Sequence, residues 1–201
     1  MTAMRIPPID EINDTLSFCV SGGADFAEIF FESTLVHGVV CEEGRVERLT
    51  SGIDEGFGLR LIAGDRTAYG YSNRIDGDEL RRIGRGVLAE LGGGAAGTAV
   101  RAGEPLRSIA DVAIPADGVP AEKKVAVVLA ADRAARAAGC EVSQAQITCR
   151  DLLSRIAVFN SEGTAARDER RQFLFAVRAI ASDGAGLQAA YRSRGGRVGF
   201  E

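Results

Sequence analysis

The sequence predicts an α+β fold in which antiparallel, meander-like sheets are covered on one face by helices. Three observations predict it. Short runs rich in Val, Ile, Phe and Tyr alternate with two-residue turns such as Glu43-Gly44 and Gly64-Asp65, and turns that short join only antiparallel neighbours. Helix-spaced apolar residues recur before and after these runs. The chain has 201 residues, enough to bury roughly 70% of the surface its unfolded state exposes.

In chain order, Pro7-Pro8 precede a helix whose apolar face is Ile9, Ile12, Leu16, Cys19 and Val20, stopped by Gly22-Gly23. Strands are expected at Phe26 to Ser33, Leu35 to Glu42, Arg45 to Ile53, Phe57 to Ala63 and Arg66 to Ser72. Asp76 offers a capping side chain with Glu79 three residues on, and Leu80, Ile83, Val87, Leu88 and Leu91 share one helical face. Arg81, Arg82 and Arg85 take the opposite, solvated side. These elements make residues 1–91 one sub-unit, and the Gly, Ala and Pro content of 92–119 reads as a linker.

Pro120 opens a second sub-unit, 120–192, with an alanine-rich helix from Ala121 to Ala138 closed by Gly139. Strands are expected at Val142 to Asp151, Leu153 to Asn160, Gln172 to Ser182 and Leu187 to Arg192. The halves resemble each other. Gly23-Ala-Asp25 answers Gly139-Cys-Glu141, the Glu43-Gly44 turn answers Glu162-Gly163, and Gly64-Asp65 answers Asp183-Gly184, with Tyr71 and Tyr191 following. An internal repeat accounts for this spacing, as does the similar turn spacing common to unrelated helix-then-meander units. The helix at 76–91 has no counterpart in the second half.

Composition narrows the function classes. A net charge of −4 disfavours a dedicated nucleic-acid or anionic-membrane surface, each of which needs a concentrated positive field. No apolar run reaches the 18 or so residues of a membrane span and no signal-peptide pattern opens the chain, so a cytoplasmic location is expected. Cys19, Cys41, Cys140 and Cys149 lack C-x-x-C spacing and read as buried reduced thiols.

The segment from Thr50 through Gly56-Phe-Gly58 and Gly64-Asp65 to Tyr69-Gly-Tyr71, with Ala24-Asp-Phe-Ala-Glu-Ile-Phe-Phe-Glu32 and Arg194-Gly-Gly-Arg-Val-Gly-Phe-Glu201, resembles the N-terminal domain of the TldD/PmbA family, on the TldD side. That family comprises metal-dependent peptidases, often labelled modulators of DNA gyrase. The resemblance implies a non-catalytic N-terminal domain that contributes chamber wall, substrate entry or subunit contacts. It implies a PmbA-type partner subunit or a homo-oligomer, and unfolded or modified peptides as substrate. Residues 193–201 would lead toward a C-terminal catalytic domain holding zinc or a similar divalent metal through a His-Glu-x-x-x-His motif. No such motif occurs here.

The residues present set limits of their own. A hydrolytic zinc site needs at least three protein ligands, and the chain has a single histidine, His37, so no catalytic residue and no metal ligand is assigned in it. His37 reads as an ordinary strand residue, or as a general base without a marked nucleophile. Gly56-Phe-Gly58 lacks the third glycine of a phosphate loop. Glycines inside strands mark close packing or the approach of another backbone. On the second reading an extended peptide crosses Gly56, Gly58, Arg60, Tyr69, Gly70 and Tyr71, held by main-chain hydrogen bonds. Asp54-Glu55, being adjacent, point to opposite faces. Arg60 and Arg178 point outward by alternation. Arg192-Ser-Arg-Gly-Gly-Arg197 resembles an RNA-binding tail but carries too few charges for it. A stand-alone module binding peptide or protein by strand addition is the competing class; a nucleic-acid-associated regulator is the weaker one.

Overall fold

The computed structural model describes residues 4–92, 94–109, 112–138, 141–182 and 184–201. Among them are helices α1 (Ile9–Ser21), α2 (Gly77–Leu91) and α3 (Ala121–Arg136) and strands β1 (Phe26–Glu42), β2 (Arg45–Ala63), β3 (Arg66–Ser72), β4 (Leu106–Ile109), β5 (Glu141–Asn160), β6 (Ala165–Ser182) and β7 (Leu187–Gly196). The strand order is β3-β2-β1-β5-β6-β4, with β7 also paired to β6. This is the expected α+β class. The β2–β3 and β6–β7 pairs are antiparallel; β4, unforeseen, runs parallel to β6.

Several strands are longer than expected. Phe26 to Ser33 and Leu35 to Glu42 form one strand, as do Arg45 to Ile53 with Phe57 to Ala63, and Val142 to Asp151 with Leu153 to Asn160. Thr34, Asp54 to Gly56 and Leu152, the residues at those junctions, continue the strands. None of them has the positive φ of a tight turn; among the described non-glycine residues that conformation occurs only at Glu43 (φ 51°). With Gly44 at φ 76°, Glu43 makes the two left-handed residues that match a hairpin's twist. β7 likewise runs past Arg192 into the expected connection. A Cβ at Gly195 would lie 2.3 Å from the Phe173 carbonyl oxygen, so this glycine admits close strand approach rather than supplying flexibility.

The chain forms two compact units, each discontinuous in sequence: unit 1 is 1–34, 54–109 and 155–169, and unit 2 is 35–53, 110–154 and 170–201. One crossing between the units, at 109/110, falls within 92–119; the other four fall inside strands. β1, β2, β5 and β6 each give one part to either unit.

In unit 1, Ile12, Leu16, Cys19 and Val20 of α1 and Leu80, Val87 and Leu91 of α2 pack with Ala27, Ile29, Phe31, Leu59 and Leu61. Phe31 meets Phe57 and Phe159 at ring-centroid distances of 5.8 and 6.1 Å. Each such side chain contributes about 1.5–3 kcal/mol by burial. α2 starts where Asp76 Oδ1 accepts from the Glu79 amide at 2.8 Å and ends at Gly92 with φ 79°, a side-chain cap and a left-handed stop.

The described residues of the expected linker up to 109 are tied down in unit 1. Asn13 donates to the Ala102 carbonyl at 3.0 Å and accepts from its amide at 2.9 Å. The Gly97 amide donates to Val20 O and that of Val100 to Ser161 O, while Arg101 pairs with Asp10 and Asp14. Glycine and alanine gave this segment no apolar pattern; polar pairing orders it instead.

In unit 2, Val125, Val128 and Leu129 of α3 pack with Val39 and Cys41 of β1, Ile147 and Cys149 of β5 and Phe173, Phe175 and Val177 of β6. Cys19, Cys41 and Cys149 are free and buried; Cys140 lies outside the described residues. Burial pushes the Cys19 thiol up to about 12 and Cys149 to about 11, and raises Cys41 as well, with the Asp132 charge adding to the effect.

Candidate functional site

Strand alternation sorts the six candidate residues of unit 1. On β2, Phe57, Leu59 and Leu61 are buried, which places Gly56, Gly58 and Arg60 on the opposite face. β3 is in register so that Gly58 opposes Tyr71 and Arg60 opposes Tyr69. Tyr69 and Tyr71 are 59% and 77% exposed, their rings stacked with centroids 6.4 Å apart and planes at 29°. Five of the six therefore share a face.

Gly70 does not. A Cβ there would come within 2.5 Å of Val87 and 3.0 Å of Ile83 on α2, so this glycine lets the helix pack on the strand. At Gly58 a Cβ would lie 2.1 Å from Tyr69 Oη and 2.7 Å from its Cζ; the tyrosine ring covers the glycine. At Gly56 a Cβ would meet the Ser72 carbonyl oxygen at 2.8 Å. Arg60, outward by alternation as expected, is engaged: its Nη2 donates to Glu28 Oε1 at 3.0 Å and its guanidinium lies 5.9 Å from the Phe26 ring centroid.

The end of β3 is clamped to α2. Ser72 Oγ donates to Glu79 Oε1 at 2.7 Å, and Arg82 donates to both Glu79 oxygens at 2.8 and 2.7 Å. The Arg82 and Ser72 hydrogen bonds hold the Glu79 carboxyl down to about 2. Tyr71, the residue before Ser72, thus projects from a fixed strand end. β3 is also terminal in the strand order, with no strand partner on its far side among the described residues. No sequence signal announced the Glu79 clamp beyond its place in the cap of α2.

In unit 2, His37 meets two residues that the sequence did not link to it. Its Nδ1 is 3.0 Å from Asp151 Oδ1, and Lys124 Nζ is 2.5 Å from Asp151 Oδ2. Lys124 Nζ also stands 3.5 Å from Nδ1. The shorter His37 contact is a hydrogen bond only with the proton on Nδ1, so the lysine donates to the carboxylate and not to the ring. Asp151 thereby orients an imidazole, the arrangement of a general base. Among the described residues no hydroxyl or thiol hydrogen-bonds to His37, and the trio joins α3 to β1 and β5.

Two family models match the sequence: PmbA/TldA metallopeptidase domain 1 over residues 27–89 and the PmbA/TldA metallopeptidase central domain over residues 114–201. The chain belongs to the PmbA/TldD metallopeptidase family. It is 23% identical over 181 residues to a metalloprotease TldD homolog of Haemophilus influenzae, covering 88% of this chain and 37% of that protein. To a metalloprotease of Methanothermobacter thermautotrophicus it is 26% identical over 182 residues, with 88% and 38% covered. The chain thus spans little more than a third of these relatives.

Solved structures share the fold. A protein provisionally named a modulator of a DNA gyrase from Thermotoga maritima superimposes with a TM-score of 0.74 at 12% identity, covering 94% of this chain and 43% of its own. TldE from Thermococcus kodakarensis gives 0.69 at 12% identity, with 93% and 43% covered. The resemblance read from the sequence is this family. Among the described residues no group of three or more His, Cys, Asp or Glu could hold a metal ion, so no metal step is assigned to them. No helix of the described residues is long and apolar enough to cross a membrane.

Proposed function

We propose that this chain is the non-catalytic N-terminal part of a TldD-like cytosolic metallopeptidase, and that unit 1 receives an extended, unfolded peptide against the rings of Tyr71 and of Tyr69, which lies over Gly58. The observation that carries this reading is the stacked, exposed tyrosine pair on a terminal strand, beside a glycine covered by the Tyr69 ring. Aromatic rings bury apolar peptide side chains without demanding a sequence, and a terminal strand offers main-chain hydrogen bonds to a further strand. Both suit a substrate class defined by being unfolded. Arg60, held by Glu28, shapes this face rather than gripping a terminal carboxylate. The metal, zinc or a similar divalent ion, belongs to the rest of the enzyme, and a PmbA-type subunit or second copy completes the assembly. Similarity to metalloprotease relatives and to TldE supports these parts.

The test is a fluorescence-anisotropy titration of the chain with an unstructured apolar peptide, repeated with Tyr69→Ala/Tyr71→Ala. Binding by the wild type that weakens in a variant of unchanged melting temperature supports the reading. Equal binding by both removes it.

A further inference from the structure

The face of the unit 2 strands opposite α3 carries three arginines that the rest of the described chain leaves unpaired. Burial of Ala145, Ile147 and Cys149 puts the even residues of β5 on that face, and the pairing of Arg178 with Tyr191 puts both of these there. Two recesses lie side by side on it. One, of about 390 Å³, is lined by Arg150, Gln172, Leu174 and Arg197 among others; the second, of about 360 Å³, by Gln146, Thr148, Ala176, Arg178 and Tyr191. A smaller third recess brings in Glu42 beside Arg178. Among the described residues Arg150, Arg178 and Arg197 form no ion pair and no side-chain hydrogen bond, with Glu42 or otherwise. In a chain of net charge −4, these guanidinium groups are a local exception that internal pairing does not explain.

We propose that this face binds acidic peptide segments in extended form, Arg150 and Arg197 receiving one carboxylate and Arg178 a second. A guanidinium presents a planar fork that matches a carboxylate, and Gln146, Thr148 and Tyr191 supply further hydrogen-bonding groups alongside. The recesses centre on β6 positions four residues apart, about 13 Å along a strand. An extended ligand presents its residues i, i+2 and i+4 to one side at the same rise, so acidic residues at i and i+4 meet the two recesses together. Three cations with one tyrosine fit a short acidic peptide better than a nucleic-acid strand, which needs a longer cationic track and several stacking rings. The proposal rests on the peptide reading above for the class of its occupant, and on different residues for the site.

The test uses three fluorescein-labelled probes: an unstructured Gly/Ser peptide with glutamates at i and i+4, the same peptide with lysines, and a single-stranded oligonucleotide. Each is titrated against the wild type, Arg150→Gln/Arg178→Gln/Arg197→Gln, and Tyr69→Ala/Tyr71→Ala. Binding of the glutamate peptide but not the lysine peptide is expected, with about a tenfold loss in the arginine variant and none in the tyrosine variant. Should the triple variant melt below the wild type, the single Arg178→Gln serves, with a smaller loss in the same direction. Equal binding of both peptides, wild-type binding by the arginine variants, or tighter binding of the oligonucleotide overturns the proposal. Loss in the tyrosine variant alone overturns it while leaving the unit 1 reading intact.

Discussion

Lys124 Nζ lies 2.5 Å from Asp151 Oδ2, with both side chains only 4% exposed. A buried ammonium is tolerable only beside its counter-charge. Asp151 also takes the His37 ring, so one carboxylate joins α3 to two strands.

Removing that carboxylate has a large effect. Asp151→Ala leaves Lys124 buried and unpaired and is expected to lower stability by about 3–5 kcal/mol in urea unfolding. Lys124→Met/Asp151→Leu removes both charges and recovers most of the loss. A double variant as unstable as the single one refutes the ion-pair account.

Acid stability depends on Glu79. Its folded-state value of about 2 lies below the ordinary 4.5, so its contribution is complete above pH 4.5 and disappears as pH falls through about 2. Melting curves of Glu79→Gln should therefore fall below the wild type at neutral pH and converge with it at the acid end. A gap independent of pH contradicts this.

Thiol chemistry follows burial. Cys19, Cys41 and Cys149, all raised above the ordinary thiol value, are expected to resist iodoacetamide at neutral pH until the chain unfolds. Peptide mapping of native and urea-treated protein reads this directly.

The two β-strand glycines separate packing from access. Gly70→Ala drives a methyl into Val87 and Ile83 and should cost about 1–3 kcal/mol. Gly58→Ala meets the hydroxyl end of the Tyr69 ring first, an exposed side chain that can swing aside, and should cost about 0.5 kcal/mol or less. Thermal melting of both variants checks the contrast. In a full-length enzyme, Gly58→Val should impair turnover of long peptides while the melting temperature holds.

The elements with local signals were legible in the sequence. Asp76 with Glu79 marked the start of α2, Pro120 that of α3, and Glu43-Gly44 and Gly64-Asp65 marked real hairpins, because capping and left-handed turns are decided by a few neighbouring residues. Long-range polar pairing was not legible. Asp151 read as a strand boundary since an acid rarely sits mid-strand on a buried face; it does so here because Lys124 and His37, distant in sequence, neutralise and satisfy it. Residues 92–119 read as a linker for the same reason, as Asn13 gave no hint that its amide would serve Ala102. Of the candidate site, the sequence reading set Gly70 beside Tyr69 and Tyr71 on one path; alternation separates it from them, and α2 packed on Gly70 shows which face it takes.

The amide of Asn13 pairs with both backbone groups of Ala102 as a neighbouring strand would, so one side chain replaces a whole stretch of ladder. Together with the contacts at Gly97 and Val100 it divides the path from α2 to β4 into short spans, each closed independently. Closure entropy grows only slowly with span length, so added residues between these anchor points cost little, as beside Gly103, where a Cβ would meet nothing within 4 Å. Loss of an anchor instead fuses two spans and frees both. The connection can therefore lengthen in evolution without loosening unit 1, provided that Asn13 keeps its grip.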